Sequence, residues 1–335
     1  MSLQGLRVLV TGADGFIGSH LTELLVRDGA TVTAAVLYNS FDQHGWLDDL
    51  PEDVRNKLDL MRGDVRDAHF VRGLVRGHDV VFHLAALIAI PYSYVAAQSY
   101  VDTNVVGTLN MLEAARDTGV RRFVQTSTSE VYGTAITMPI GEDHPLQGQS
   151  PYSASKIGAD MMAEAYARSF NLPVVILRPF NTFGPRQSER AVIPTIIRQL
   201  IDPRCNAISI GDTATIRDFT YVEDTARAFM ALADAPDIAF GRPYNAGSGV
   251  ALSIAELIAT LQGIVGYGKP LRQDAERQRP DLSEVRALLA NSTRMRTHTD
   301  WRPRVDLQEG LERTVAWWKA RLADGALRHD ARFMT

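Results

Sequence analysis

The chain has 335 residues, 45% of them hydrophobic, and a formal net charge of -4. That length supports one large α/β core with a smaller lobe, and the near-neutral charge gives no electrostatic reason to expect nucleic acid or an anionic membrane as a partner. The single cysteine, Cys205, excludes an intrachain disulfide and a multi-cysteine metal site and fits a reducing compartment, so the cytoplasm is the expected location.

No leader is expected, because the first strand begins within a few residues of Met1. The longest apolar run, residues 80–90 broken by His83, is too short to cross a bilayer. Residues 6–10 read as a strand, followed by Thr11-Gly12-Ala13-Asp14-Gly15-Phe16-Ile17-Gly18 and then leucines at helical spacing. Such a turn lets backbone N–H groups approach a pyrophosphate at a positively polarised helix start, while Gly18 permits close helix-to-strand packing. Its spacing is Gly-x-x-Gly-x-x-Gly rather than the usual Gly-x-Gly-x-x-Gly.

The second strand, residues 31–37, ends in Tyr38-Asn39-Ser40, with neither the acid that holds an NAD ribose nor the arginine that holds an NADP phosphate. Lack of that arginine favours NAD, and NADP stays open. A third strand at 58–61 leads to Asp64, which reads equally as an acceptor for the adenine amino group or as a helix cap. The fourth, 79–82, runs into His83-Leu84-Ala85-Ala86, small residues past which a cofactor can lie close. His83 has no second ligand at metal spacing, so no metal is expected. A long helix follows at 98–118, carrying Asn104 in an apolar-periodic region, where a buried amide must find partners and here braces the active-site backbone.

The fifth strand, 121–126, delivers Ser127, Thr128, Ser129 and Glu130 to the sheet edge where ligands bind in doubly wound folds. Beyond a Pro/Gly-rich loop, Tyr152 and Lys156 stand four residues apart on a helix that starts at Pro151, so both side chains share one face. A free phenol of pKa near ~10 is only about 0.1% ionised at neutral pH, and a tyrosine base therefore needs a neighbouring cation. Lys156 is placed to be that cation. After a sixth strand at 173–177 and Arg178-Pro-Phe-Asn181, the regular alternation stops. Short helices at 192–200, 253–264 and 307–323 alternate with loops, and Arg217 and Arg279, both expected in loops, are candidate phosphate clamps because guanidinium forks match phosphate oxygens.

Taken together, the glycine run at 12–18, Thr128 four residues before Tyr132, Tyr152 with Lys156, Arg178-Pro-Phe-Asn181 and Arg217-Asp-Phe-x-Tyr-Val-x-Asp224 resemble the extended short-chain dehydrogenases/reductases that act on nucleotide sugars. The resemblance covers nearly the whole chain. The run 127–133 looks most like the 4,6-dehydratases. Ile88-Ala-Ile-Pro-Tyr-Ser-Tyr94 and Gly184-Pro-Arg-Gln-Ser188 are similar to nucleotide-linked N-acetylglucosamine 4,6-dehydratases of the legionaminic acid pathway.

The resemblance implies a Rossmann-type doubly wound parallel sheet of seven strands with a smaller C-terminal substrate lobe: residues 1–180 would bind the dinucleotide, and 181–330 mainly the nucleotide sugar, with short elements returning to the first sheet. Gly12, Gly15, Phe16, Ile17, Asn39, Asp64, Val65, Leu84, Ala85, Ala86, Tyr152 and Lys156 would contact the nicotinamide cofactor. Pro91, Asn181, Val192, Arg217 and Arg279 would hold the substrate, expected to be UDP-N-acetylglucosamine or a close relative. Tyr152 would take the 4-hydroxyl proton during C4 oxidation while Thr128 bonds the same oxygen, and Glu130 would remove the C5 proton so that water leaves from C6 and hydride returns there. Many such enzymes place aspartate before that glutamate. This chain has Ser129, too weak an acid to replace it directly, so either Glu130 carries the proton to the leaving hydroxyl or Ser129 relays it through water. Family members commonly form homodimers through the helices that here follow Gln98 and Pro151. A 4-epimerase, which needs Tyr152, Lys156 and Thr128 but no C5 base, is the nearest rival reading; a non-catalytic dinucleotide sensor is the remote one.

Overall fold

The computed structural model describes residues 3–274 and 285–325. Its strands are β1 (Arg7–Thr11), β2 (Thr31–Leu37), β3 (Asp59–Gly63), β4 (Val80–His83), β5 (Arg122–Thr126), β6 (Val174–Pro179), β7 (Asn181–Phe183), β8 (Ile208–Ile210), β9 (Ile216–Tyr221), β10 (Pro243–Ala246), β11 (Ala251–Ser253) and β12 (Leu271–Gln273). Seven of them form one parallel sheet in the order β10-β6-β5-β4-β1-β2-β3. The apolar run Val8-Leu9-Val10 is fully buried, as a parallel strand covered on both faces must be. Its residues alternate between faces: Val8 and Val10 pack with Phe82, Val124 and Phe229, whereas Leu9 packs with Val81, Phe123 and Met111 on the other side.

Register places Val8 between Val32 of β2 and Val80 of β4, so the winding of the chain reverses at β1. In a doubly wound sheet that reversal opens a crevice beyond the carboxyl ends of the two strands, where ligands bind. The helices Phe16–Arg27 and Val222–Asp234 pack together on one face, and Ala68–Val75 and Gly107–Thr118 on the other. Beyond the sheet, the helices Val192–Ile201, Ile254–Val265 and Leu307–Ala323 gather round β9 in a separate apolar cluster that includes Ile196, Phe219, Leu257 and Trp318.

The doubly wound fold expected from the sequence is the one found, with strand ends displaced by one or two residues. Three details differ. Six main-sheet strands are readable in the sequence, and the seventh is β10, a four-residue Pro-Tyr-Asn-Ala segment with no apolar alternation to announce it. Arg217 lies in strand β9 rather than in a loop, paired antiparallel with Leu252. Its neighbour Asp218 is buried there, accepting from the backbone N–H groups of Ser248, Gly249 and Ala290. The helix expected at 98–118 contains a π turn at Val101–Val106, with α-helix Ala97–Tyr100 before it and Gly107–Thr118 after it. Arg279 lies outside the described residues. Among those described, no helix is long and apolar enough to cross a membrane.

Candidate active site

The glycine turn lies at the sheet crevice. Gly12 has φ +66, and a Cβ there would come within 2.8 Å of Ala85 N and 2.9 Å of its Cα. At Gly18 a Cβ would meet Gly12 O at 2.1 Å. The first strand, the exit of β4 and the first helix thus converge on backbone that carries no side chains. That helix begins at Phe16 with Gly15 as its N-cap and no side-chain cap, so the positive end of its dipole faces the crevice. A dinucleotide pyrophosphate fits this cradle.

A chain of hydrogen bonds fixes the far wall. Thr11 Oγ1 accepts from Leu84 N and Ala85 N, both at 3.2 Å, and lies 2.8 Å from His83 Nδ1. His83 Nε2 is 3.2 Å from Thr108 Oγ1, which donates to Asn104 O at 2.7 Å. With the Thr11 and Thr108 hydroxyl protons so committed, a neutral His83 carrying its proton on Nε2 satisfies every partner. Burial holds the ring in that form, pulling its pKa down to about 3, with the Lys156 charge acting in the same direction. His83 is therefore a buried structural histidine. Asn104, in the π turn, clamps Leu87 by its N–H and C=O at 2.9 Å each and donates to Ser155 Oγ at 2.9 Å; Ser155 donates to Tyr152 O at 2.7 Å. The asparagine does brace this backbone.

Tyr152 and Lys156 lie in the helix Pro151–Phe170, which Ser150 opens with a capping box to Ser153. Both side chains are buried. Thr128 caps the 3-10 turn Ser129–Tyr132, accepting from Glu130 N at 3.2 Å, and its hydroxyl lies near enough to the Tyr152 phenol to act on it. Burial pushes the phenol pKa well up; the Thr128 hydroxyl opposes this, and the charges of Glu130 and Asp160 reinforce it. Lys156 Nζ donates to Thr126 O at 2.5 Å. Burial pulls its pKa down to about 8, against the upward pull of Asp160. Glu130 is half-buried on the turn that carries Thr128, and among the described residues its carboxylate has no ion pair. Ser129 is buried beside it.

The remaining candidates spread around this centre. Asn39 folds its own loop, accepting from Phe41 N at 3.0 Å and donating to Gln43 O at 2.7 Å. Asp64 is ion-paired with Arg66 at 2.5 Å, and the cap of helix Ala68–Val75 is Asp67 instead. Val65 is buried, and Ala86 follows β4 in the crevice wall. Asn181 of β7 pairs in register with Phe219 of β9, two residues from Arg217, so this amide and guanidinium share one small sheet. Val192 opens a helix packed on the same cluster, and Pro91 lies in the first turn of helix Ile90–Val95. A separate charged cleft lined by Glu142, Glu164, Arg242 and Arg294 includes none of Thr128, Glu130, Tyr152 or Lys156. The sequence reading missed Asp160, one helical turn beyond Lys156 and fully buried; its i, i+4 spacing from the lysine was the available signal.

This arrangement puts the chain among the extended short-chain dehydrogenases/reductases of the NAD-dependent epimerase/dehydratase type, the class its sequence resembles. Within that class the chain belongs to the GDP-mannose 4,6-dehydratase family, whose sequence profile matches residues 9–314. It is 36% identical over 327 residues to a dTDP-glucose 4,6-dehydratase of Actinoplanes sp., covering 94% of this chain and 98% of that one. Among solved structures, it matches a dTDP-glucose 4,6-dehydratase from Streptomyces venezuelae with NAD bound at a TM-score of 0.84 and 32% identity, covering 95% of this chain and 98% of the other. A UDP-N-acetylglucosamine 4-epimerase from Methanobrevibacter ruminantium matches at a TM-score of 0.85 and 28% identity, covering 95% and 99%.

Proposed function

We propose that the chain is a nucleotide-sugar 4,6-dehydratase acting on UDP-N-acetylglucosamine or a close relative. The observation that carries this reading is Glu130, a carboxylate with no ion pair among the described residues, on the same short turn as Thr128 and close enough to Tyr152 to act on its charge. Bound oxidised nicotinamide would supply a hydride acceptor and a positive charge beside the phenol. Tyr152 then takes the proton of the sugar 4-hydroxyl, with Thr128 bonded to the same oxygen and Lys156 held as an ammonium behind it. Glu130 removes the C5 proton and passes it to the departing C6 hydroxyl, since Ser129 is not acidic enough to do so. Pro91, Asn181, Val192, Arg217 and Arg279 hold the nucleotide diphosphate and sugar, so residues 181–330 form mainly the substrate lobe.

A 4-epimerase is the second reading. It is favoured by Ser129, which leaves no second acid beside Glu130, and by similarity to the epimerase above. Homodimer formation is supported by exposed Val101, Val106, Met161 and Met162 on the two helical segments concerned; a cytoplasmic location rests on the single cysteine. Mass spectrometry after incubation with a panel of nucleotide sugars tests the proposal: loss of water identifies a dehydratase, and unchanged mass with altered retention an epimerase.

A further inference from the structure

We infer that the buried pair Arg178 and Asp160 is a positioning device that ties down both ends of the turn presenting Thr128 and Glu130 to Tyr152. Its significance for Glu130 rests on the dehydratase reading; its significance for Thr128 holds for either enzyme. Asp160 Oδ2 accepts from Arg178 Nε at 3.1 Å, from Arg178 Nη2 at 3.0 Å and from Ser127 Oγ at 2.7 Å. Ser127 immediately precedes Thr128. From the same guanidinium, Nη1 donates at 3.1 Å to the hydroxyl of Tyr132, two residues after Glu130, and the guanidinium lies 5.0 Å over that ring. Tyr132 in turn donates to Asn245 Oδ1 at 2.7 Å. One planar fork therefore sets the distance between residues 127 and 132, and the catalytic side chains lie between its two anchors.

Both charges are excluded from solvent, Asp160 at 0% and Arg178 at 1% exposure. Desolvation offsets most of the attraction in such a pair, which makes it a poor source of stability. Direction is what it supplies, because a guanidinium fork fixes its partners in angle as well as distance. The backbone of the turn has its own tethers, Ser127 N to Leu177 O at 2.7 Å and Gln147 N to Val131 O at 2.8 Å. Neither of these links one end of the turn to the other. Asp160 is also one helical turn beyond Lys156 and supports its ammonium electrostatically.

Ser127→Ala and Tyr132→Phe each remove one hydroxyl and leave the ion pair intact, so neither strands a buried charge. The expected result is amide hydrogen exchange about tenfold faster or more across 128–133, with helix Pro151–Phe170 and strand β6 unchanged. In the same variants, kcat for whichever conversion the wild type performs falls about tenfold, while KM and bound cofactor stay within about twofold. Unchanged exchange in the turn, exchange accelerated throughout the chain, or native kcat despite faster local exchange would each overturn the proposal. Should the wild type epimerise rather than eliminate water, the dehydratase reading falls, and the same exchange pattern and kcat ratio still judge the clamp.

Discussion

Lys156 donates to the carbonyl of Thr126 at 2.5 Å, which holds its ammonium at the carboxyl end of β5, one helical turn from Tyr152. Since burial brings the pKa to about 8, the lysine is charged below that pH and neutral above it. A mechanism that needs the ammonium predicts that kcat/KM falls as pH rises through about 8. Tyr152→Phe should lower turnover by about three orders of magnitude with cofactor still bound, because the ring still fills its place. A pH–rate profile and assay of dinucleotide released on denaturation check both; near-native turnover in Tyr152→Phe would eliminate this base.

Glu130→Gln keeps size and hydrogen-bonding capacity but removes the proton acceptor. With substrate present the variant should stall after C4 oxidation, accumulate the absorbance of reduced nicotinamide and stop incorporating solvent deuterium at C5. Ser129→Ala should be mild if Glu130 shuttles the proton alone, and nearly as severe if a serine-water relay is required. Water elimination at the native rate by Glu130→Gln would keep the dehydratase reading but remove Glu130 as the C5 base and assign that step to another group.

Gly12→Ala places a methyl against the Ala85 backbone at a residue with φ +66. The exit of β4 must move, and the pyrophosphate loses its close approach. Dinucleotide retained through purification should fall about tenfold or more, equivalent to about 1.4 kcal/mol of affinity. Retention at the native level would show that the cofactor does not rest on this turn.

His83 links acid stability to the same wall. Its ordinary value of 6.5 applies in the unfolded chain, and the folded value is about 3. Between them the unfolded state binds the extra proton, so the stability is fully present above 6.5 and is lost as pH falls toward 3. His20, buried and brought down to about 4, acts in the same direction. His83→Gln should be less stable at neutral pH but lose stability less steeply on acidification, by up to about 1.4 kcal/mol per pH unit. Urea denaturation at neutral pH and at about pH 5 measures that slope.

Much of this architecture is legible in the sequence because its signals are local. A strand, a glycine turn and a helix succeed one another within residues 7–27, and Tyr152 and Lys156 meet by helical spacing alone. What escaped depends on partners far along the chain. Strand β10 is only four residues long, and is a strand because β6 offers it an edge. Arg217 sits in a strand because Asp218 beside it is satisfied by amides from residues 248, 249 and 290. Arg178 is readable in the sequence as part of a motif and Asp160 only by its spacing from Lys156, but nothing local announces that the fold buries them as a pair. The π turn follows a sequence that reads as plain helix, and shows itself only through what Asn104 reaches.

Strand β10 also bears on how the protein is made. The edge of β6 that it covers consists of Ile176 to Pro179, residues emerging from the ribosome well before Pro243 to Ala246. Until those four arrive, a nascent chain carries an unpaired strand edge next to the segment that will become the turn of Thr128 and Glu130. Chaperone engagement during translation should therefore persist past residue 180 and end once residue 246 is clear of the exit tunnel, and a stop codon between them should yield an aggregating product rather than a free-standing dinucleotide-binding half.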